Sequence, residues 1–523
     1  MPAGAPDVAV SPRLRVAGII AAAGIAAAVV VATLRRVGDF DLGWHLALGR
    51  ALVSSRTLPF ADDFSFTFRG TRAADEFLSD TLTYLLARAG GPLALQLTGG
   101  VCVALLAWLM TSRARQAASW PVALAFAALG LMAAGAWLVV RPALFSFVCL
   151  AAFVRLCDRE RPSPWIIPLQ TLWANVHGFA ALGPPLALLF ALGQRPVDRS
   201  WRRRRIYAAL TLPASLVSPF GWRLYTNAYE VGDLHGLVTE WTPTTPSFLF
   251  EHALPLVLLT LFVVVGLIGR PRRLVDILVA LLALALAGKA VRLIPLAAIL
   301  LAPLAARQWA EPLARARGTA LLVALAGLLA APSLLGTGGM REGVGWDEAN
   351  LPEGAIRYLA QARPRGAVWN FLPFGGWLSW RLYPDVRVFI DGRTARTYPI
   401  AFVARYFAAE HDASELAALD DAWHFQWAIV RARPGEHFSE PIGRDLRWTM
   451  VYLDDCAAVY VRNDGINAPL AKQGYWMLRH LTLPPRGPVA PALRAALAHD
   501  AALALEQAPS SPRAQALAAA ANQ

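Results

Sequence analysis

Long apolar runs dominate the first 336 residues of this chain. They fall near residues 14–34, 93–111, 120–140, 143–157, 165–176, 178–193, 206–220, 253–269, 274–288, 290–306 and 318–336. A straight helix needs about 20 apolar residues to cross a bilayer, so the shorter runs predict bent or partial helices. Only 16% of the residues are charged, against about 25% in soluble domains. The pattern therefore predicts a polytopic α-helical membrane protein with about 11 transmembrane helices.

Arginine residues are concentrated in every second connection between these runs. Examples are Arg113, Arg115, Arg155, Arg159, Arg161, Arg270, Arg272, Arg273 and Arg307. By the positive-inside rule these connections are cytoplasmic, together with the N-terminus. The sequence thus predicts a multi-pass protein of the cell (inner) membrane with an extracytoplasmic C-terminal domain. The net charge of +13 comes mostly from these loops and no nucleic-acid-binding motif accompanies it, so we expect the lipid bilayer as a partner and no nucleic acid.

The sequence divides into three predicted regions. Residues 1–336 form a multi-pass transmembrane domain with long outer loops 35–92 and 219–252. Residues 337–470 predict a small α/β domain, because helical patterns at 350–362 and 399–421 alternate with short β-branched and aromatic runs. The predicted strands are 367–371, 386–391, 427–431, 448–453 and 457–462. Residues 471–523 predict a linker and a helical tail with breaks at Pro509 and Pro512.

Two carboxylates at the predicted outer membrane boundary form the most informative motif. Asp39 and Asp41 follow the first apolar run and lie beside Trp44 and His45. Such a pair can share a divalent cation, or one carboxylate can act as a general base. The alternative is a solvated acidic loop with an interfacial tryptophan. The motif by itself leaves both interpretations open.

Cations and a histidine interrupt the apolar runs on the same predicted side. Arg141, Lys289 and Arg292 oppose the positive-inside tendency, which favours a role such as binding the phosphate of a lipid carrier. The alternative is an ion pair with Asp39, Asp41 or Glu76 that stabilises the helix bundle. His177 beside Asn175 is either a structural residue or part of a cavity wall.

Together these motifs resemble a known family. In chain order they are Asp39-Phe40-Asp41 with His45, Arg141-Pro142-Ala143-Leu144-Phe145-Ser146, Asn175-Val176-His177-Gly178, Glu240-Trp241, Arg292-Leu293-Ile294-Pro295, Gly375-Gly376-Trp377 and Phe389-Ile390-Asp391-Gly392-Arg393. The set resembles bacterial GT-C-type membrane glycosyltransferases, which are related to polyprenyl-phosphate-sugar-dependent and protein O-mannosyltransferase-like enzymes. The likeness extends along most of the chain.

The resemblance implies a GT-C-like fold and transfer of a hexosyl or pentosyl group from a polyprenyl-phosphate-linked donor to an extracytoplasmic acceptor. It implies that Asp39 or Asp41 is the base or a ligand of a divalent cation (Mg²⁺ or Mn²⁺), and that outer-face cations hold the donor phosphate. The acceptor is open between a glycan, a lipid and a protein. The candidate substrate- and phosphate-binding residues are His45, Glu76, Arg141, His177, Glu240, Trp241, Lys289 and Arg292.

Two other functions compete with this interpretation. A transporter or flippase usually places ionisable residues at the bilayer midplane and often shows repeated halves. Here the polar motifs lie at one boundary, and no internal repeat is evident in the sequence. A non-catalytic assembly protein of the cell envelope would instead use the α/β domain and the helical tail to bind partners.

Overall fold

The computed structural model describes residues 12–57, 63–70, 76–193, 200–230, 239–268, 273–315, 341–433, 440–478 and 491–522. The chain divides into two compact units, each built from two stretches of sequence. Unit 1 comprises Met1–Val37 and Asp75–Gly345, and unit 2 comprises Gly38–Ala74 and Trp346–Gln523. The apolar pattern places the whole of loop 35–92 in the transmembrane domain, whereas residues 38–74 group with the C-terminal part of the chain.

Hydrogen bonds at the edge of unit 1 explain this grouping. The backbone N–H of Arg36 donates to the carbonyl of Arg341 at 2.9 Å, and that of Val37 donates to Gly345 at 3.0 Å. The two stretches therefore leave unit 1 side by side. Within unit 2 they stay together, since a Cβ on Gly38 would lie 2.9 Å from the Asp347 Cβ.

The helices of unit 1 follow the predicted apolar runs. They are α1 (Pro12–Leu34), α3 (Phe77–Ala114), α4 (Trp120–Ala133), α5 (Pro142–Cys157), α6 (Ile166–Ala174), α7 (Gly183–Gly193), α8 (Ser200–Leu216), α9 (Arg223–Glu230), α10 (Pro246–His252), α11 (Leu254–Ile268), α12 (Leu274–Lys289) and α13 (Ile294–Arg315); α2 belongs to unit 2. Each predicted run from 14–34 to 290–306 falls on one of these helices. The run 318–336 lies outside the described residues.

Few of these helices are long enough to cross a bilayer alone. Among the described residues, Leu14–Leu34, Phe77–Ala114 and Val291–Leu313 meet the length and hydropathy of a span. Helices α10 and α11 together form a fourth if their 109° bend lies within one span. Trp120–Ala133, Pro142–Cys157 and Gly178–Gly193 are shorter apolar helices, as the short runs indicate. The total of about 11 spans stays a prediction.

Basic residues from three predicted cytoplasmic connections meet at one buried carboxylate in unit 1. Asp158 follows α5 and is 1% exposed. It lies 3.2 Å from Arg113, 3.0 Å from Arg273 and 2.6 Å from Arg307. These connections therefore share one end of the helix bundle. This agrees with the sequence, in which every second connection between apolar runs lies on the same side. The side of the membrane on which this end lies stays a prediction.

A four-stranded sheet forms the centre of unit 2. Its strands are β1 (Ala367–Asn370), β2 (Phe425–Arg431), β3 (Trp448–Leu453) and β4 (Ala457–Arg462), in the order β1-β2-β4-β3. β1 pairs with β2 in parallel, and the other two pairings are antiparallel. The helices around it are α2 (Leu42–Ser55), α14 (Glu353–Ala362), α15 (Leu372–Leu382), α16 (Ile400–Ala409), α17 (Ala413–Trp423), α18 (Glu440–Arg444), α19 (Ala468–Ala471), α20 (Pro491–Gln507) and α21 (Pro512–Ala521).

The prediction of a strand at 386–391 is wrong. Val388 makes an isolated parallel bridge with Ser65, and the backbone then leaves this partner. The next two N–H groups, of Phe389 and Ile390, donate to the Asn370 side-chain oxygen at 2.8 and 3.4 Å. A side chain thus replaces the neighbouring strand, although the apolar residues stay buried as the pattern indicated.

The helical tail is part of unit 2. Asp500 on α20 is fully buried and accepts three backbone N–H bonds from residues 476–478 at 2.7–2.8 Å. Gln507 donates to the Val451 carbonyl of β3 at 2.7 Å. Helix α20 ends before Pro509 and α21 begins at Pro512, so the predicted breaks are confirmed.

A buried carboxyl in unit 2 makes its stability depend on pH. Glu410 accepts a hydrogen bond from the Tyr406 hydroxyl at 2.6 Å. Burial raises the pKa of Glu410 to about 7, and the hydrogen bond offsets only part of this rise. The folded protein therefore keeps a proton that the unfolded chain releases near pH 4.5, so the free energy of unfolding falls as the pH rises from about 4.5 to about 7 and then levels off.

We expect Glu410→Gln, which keeps the acceptor for Tyr406, to remove this penalty. The free energy of unfolding should rise at pH 8 by up to about 3 kcal/mol and change little at pH 5. Denaturant titration of the purified protein at both pH values measures the effect. Glu415→Gln is the exposed control, and an equal change at pH 5 and pH 8 would contradict the assignment.

Candidate functional site

Two arginines share one carboxylate in unit 1. Arg292 Nη1 donates to Glu240 Oε2 at 2.7 Å, and Arg141 Nη1 lies 3.7 Å from Glu240 Oε1. Burial raises the pKa of Glu240, but Arg292 and Arg141 lower it by more, and the resulting pKa is below its ordinary value. Two cations therefore face one anion, and the three side chains carry a net positive charge. We call these three residues the arginine cluster.

Two 3-10 turns and the start of α5 position the three side chains of the arginine cluster. Glu240 lies in the 3-10 turn Thr239–Trp241 and Arg292 in the 3-10 turn Val291–Leu293 between α12 and α13. A bond from the Val291 N–H to the Thr242 carbonyl, 3.1 Å long, joins the two turns. Arg141 is extended, because Pro142 begins α5 directly after it. The sequence favours Asp39, Asp41 or Glu76 as ion-pair partners, whereas Glu240 is the carboxylate that both arginines contact.

Aromatic rings support both guanidinium groups. The Arg292 guanidinium carbon lies 5.4 Å from the centre of the Trp241 ring, and that of Arg141 lies 5.3 Å from the Trp137 ring. These distances are in the range of cation–π attraction. Trp241 was a predicted site residue. Trp137 was missed, although its position four residues before Arg141 was a usable signal.

Lys289 takes no part in the ion pairs of the arginine cluster. It is the last residue of α12 and its side chain is exposed. It pairs with no carboxylate in the described part of the chain. Its predicted role in phosphate binding stays a prediction.

Glu76 and His177 form a buried pair elsewhere in unit 1. His177 Nε2 lies 3.4 Å from Glu76 Oε1, and both side chains are at most 5% exposed. The Phe179 N–H donates to His177 Nδ1 at 3.0 Å, so Nδ1 carries no proton and Nε2 is the donor to Glu76. Ser79 near the start of α3 also bonds the Val176 carbonyl at 2.7 Å. The pair joins the start of α3 to the turn after α6, and its binding role stays a prediction.

The two predicted catalytic carboxylates open helix α2 in unit 2. The Asp41 N–H donates to Asp39 Oδ1 at 2.9 Å, and Trp44 Nε1 donates to Asp41 Oδ1 at 3.4 Å. Both carboxylates are half-buried. The His45 ring is buried, with its centre 3.4 Å from that of Trp44. Asp39 and Asp41 are therefore the solvent-reachable polar groups of this motif.

Two glycine-containing motifs from the C-terminal stretch hold Asp39 and Asp41. A Cβ on Gly392 would lie 2.5 Å from Asp41 Oδ1, so any larger residue there would displace the carboxylate. Trp377 Nε1 donates to the Asp39 carbonyl at 3.3 Å. A Cβ on Gly43 would likewise lie 2.5 Å from the Trp377 nitrogen, which lets α2 and α15 approach closely. Three motifs that are far apart in sequence therefore meet around these acids.

A buried ion pair stiffens the segment that contains Gly392. Arg393 Nη2 lies 2.5 Å from Asp391 Oδ2, and the Arg393 N–H donates to Asp391 Oδ1 at 3.0 Å. Both side chains are 0% exposed. A buried pair of this kind tolerates little movement, because breaking it leaves an uncompensated charge.

No family model and no curated protein matches this sequence. Several solved structures match it in fold. The oligosaccharyltransferase of Archaeoglobus fulgidus, in complex with Zn and sulfate, aligns with a TM-score of 0.52 at 13% identity, over 86% of this chain and 73% of that chain. The mycobacterial arabinofuranosyltransferase AftD aligns with a TM-score of 0.50 at 15% identity, over 88% of this chain and 40% of that chain.

The chain has a GT-C-type fold. ArnT from Cupriavidus metallidurans bound to undecaprenyl phosphate is also similar, with a TM-score of 0.47 at 14% identity over 86% of this chain and 98% of that chain. The predicted fold class, a polytopic helical membrane protein with a C-terminal α/β domain, is confirmed.

Proposed function

We propose that this protein is a membrane glycosyltransferase that transfers a sugar from a polyprenyl-phosphate-linked donor to an extracytoplasmic acceptor. The observation that carries the proposal is the arginine cluster, whose two guanidinium groups keep a net positive charge beside one carboxylate. The fold supports it, because the similar structures include an arabinofuranosyltransferase and an oligosaccharyltransferase.

In this proposal the arginine cluster binds the phosphate of the donor. Arg292 is 19% exposed and Arg141 only 6%, so Arg292 contacts the phosphate while Arg141 holds Glu240 in place. A guanidinium group matches phosphate oxygens with two parallel N–H donors. Its attraction grows as the bond between the sugar and the phosphate breaks, because negative charge then develops on the leaving oxygen.

Asp41 or Asp39 serves as the base toward the acceptor. The carboxylate takes the proton of the acceptor hydroxyl as its oxygen attacks the anomeric carbon of the sugar. The bond from this carbon to the phosphate oxygen breaks, and its electron pair leaves on the phosphate. One bond forms and one breaks on opposite faces of the sugar, so the configuration inverts.

A divalent cation is compatible with the same two carboxylates. Mg²⁺ and Mn²⁺ prefer hard oxygen ligands and are usually bound by one or two carboxylates together with phosphate oxygens and water. Asp39 and Asp41 supply such oxygens, and the described residues contain no group of three or more His, Cys, Asp or Glu that could enclose a metal. Such an ion would increase the acidity of a bound hydroxyl.

The decisive experiment is a donor screen with the purified protein. Polyprenyl-phosphate hexoses and pentoses are incubated with the protein in nanodiscs, and release of polyprenyl phosphate is measured by mass spectrometry. Release that requires an added acceptor supports transfer. Movement of intact donor across the bilayer without release would favour a flippase, and neither release nor movement would favour an assembly protein.

We expect Gly392→Ala to lower kcat about 10²-fold while KM changes little. The new methyl group would lie 2.5 Å from Asp41 Oδ1 and push the carboxylate from its position, and a shift of about 1 Å costs about this factor. Kinetics with saturating donor measure the loss. Gly24→Ala is the matched control, since a Cβ there meets nothing within 4 Å. An unchanged kcat in a folded Gly392→Ala protein would contradict the positioning role.

A further inference from the structure

A groove of about 920 Å³ in unit 2 has no role in the proposed transfer step. Its walls are the C-terminal end of α14, residues 364–366, the turn that follows α15, and α19. This volume falls in the range of ligand-binding clefts, which is about 300–1,000 Å³.

Arginine dominates the charge of this groove. Its lining includes Arg363, Arg365, Arg381 and Arg387 against the single carboxylate of Asp385. Four guanidinium groups on one concave surface raise the local positive potential, because low-dielectric walls focus the field. The groove is therefore suited to an anion that can reach several of these groups together.

Two of the four arginines are already paired with acids outside the groove lining. Arg381 lies 2.9 Å from Glu353, and Arg387 lies 3.3 Å from Asp63. The other two, Arg363 and Arg365, have exposed side chains and make no ion pair with any carboxylate in the described part of the chain. Arg363 Nε donates to the Ala360 carbonyl at 3.4 Å, and the terminal nitrogens of both guanidinium groups are available to a ligand.

The backbone of the two unpaired arginines is held in place. Asn467 is buried and brackets Arg365, accepting its N–H at 2.9 Å and donating to its carbonyl at 2.9 Å. Arg363 ends α14 in the left-handed conformation, and its N–H bonds the Leu359 carbonyl at 2.9 Å. A fixed backbone lowers the entropy that the guanidinium groups lose when they bind a ligand.

We propose that this groove binds an anionic saccharide, namely a carboxylate- or phosphate-bearing part of the acceptor glycan. The role of this saccharide as the acceptor rests on the proposed function, whereas its binding to the groove does not. Guanidinium forks match carboxylate and phosphate groups. The exposed wall side chains are mainly polar, with Gln361 and Asp385 beside the arginines, which favours a hydroxyl-rich ligand over an acyl chain.

Binding of tetragalacturonate without any donor tests the proposal. The full-length protein is placed in phosphatidylcholine nanodiscs, and Kd is measured by calorimetry for tetragalacturonate and for neutral maltotetraose. We expect the wild type to bind tetragalacturonate with salt-dependent affinity and maltotetraose at least about tenfold more weakly. The double variant Arg363→Gln/Arg365→Gln should raise Kd for tetragalacturonate at least about tenfold.

A matched control removes an exposed arginine outside the groove. Arg405 lies on α16 and is 53% exposed, so Arg405→Gln should change Kd less than about twofold. The proposal is overturned if tetragalacturonate does not bind, if maltotetraose binds equally well, if the double variant keeps the wild-type Kd, or if replacing part of the phosphatidylcholine by phosphatidylglycerol abolishes tetragalacturonate binding. Because no donor is present, these outcomes do not depend on whether the protein transfers sugar.

Discussion

Replacing Arg292 by alanine is expected to lower kcat for sugar transfer about 10²- to 10³-fold, the usual cost of removing one donor to a developing negative charge. Arg292 is the more exposed arginine of the cluster and is fixed by Glu240 at 2.7 Å and by the Trp241 ring. Arg292→Lys keeps the charge but loses the planar pair of donors, so it should recover only part of the rate. Turnover with a purified polyprenyl-phosphate sugar measures both variants.

A structural role for Arg292 would give a different result. In Arg292→Ala the Glu240 carboxylate keeps Arg141 as a partner, so the melting temperature should fall only slightly. Arg223→Ala is the matched control, because Arg223 is exposed at the start of α9 and lies outside the cluster. Full turnover by Arg292→Ala, or an equal loss in Arg223→Ala, would remove the phosphate-binding role.

The pH range of this effect follows from Glu240. Its pKa lies below the ordinary value of 4.5 because the two arginines outweigh the effect of burial. Glu240 therefore stays ionised as the pH falls from 8 to 5, and the net charge of the arginine cluster stays constant. Titration of Glu240 should therefore add no inflection to the wild-type kcat–pH profile between pH 5.5 and pH 8.

The membrane helices could be predicted because their signal is local. The apolar runs from 14–34 to 290–306 coincide with helices, since the length of an apolar run does not depend on which helix packs against it. The partner of an ion pair is different. Arg292 and Glu240 are 52 residues apart, and contacts such as the bond from the Val291 N–H to the Thr242 carbonyl bring them together.

The placement of Asp39 and Asp41 depends on contacts between distant parts of the chain. Their nearness to α1 in sequence suggested the transmembrane domain, but Gly43 packs against the backbone at Trp377. The consecutive glycines Gly375 and Gly376 indicate a close approach of two backbones, although they do not identify the second backbone. The same applies to residues 386–391, where Asn370 takes the place of a strand.

Fold likeness and chemistry contribute separately to the proposed function. At 13–15% identity the similar structures establish the arrangement of elements and not the substrate. The arginine cluster of unit 1 and the paired carboxylates of unit 2 are properties of this chain's own side chains. A substitution in the arginine cluster and a substitution of either carboxylate should each lower activity, and the two effects can be measured independently.

Asp41→Asn is expected to lower kcat about 10²- to 10⁴-fold if Asp41 is the base, which is the usual contribution of a general base. The amide has nearly the same shape, and its oxygen can still accept the Trp44 N–H that now reaches Asp41 at 3.4 Å. Proton abstraction is lost because an amide is not basic. The comparison with Asp39→Asn, whose oxygen can still accept the Asp41 N–H, decides which of the two acids is the base.

Three measurements separate this loss from a structural effect. Asp41 precedes α2, where a negative charge contributes up to about 1 kcal/mol through the helix dipole, so the melting temperature should change only slightly. The KM for the donor should stay near the wild-type value. The acid limb of the kcat–pH profile should disappear in the variant that lacks the base. Full activity in both Asp39→Asn and Asp41→Asn would show that neither carboxylate takes the proton, and the proposed base would then have to be abandoned.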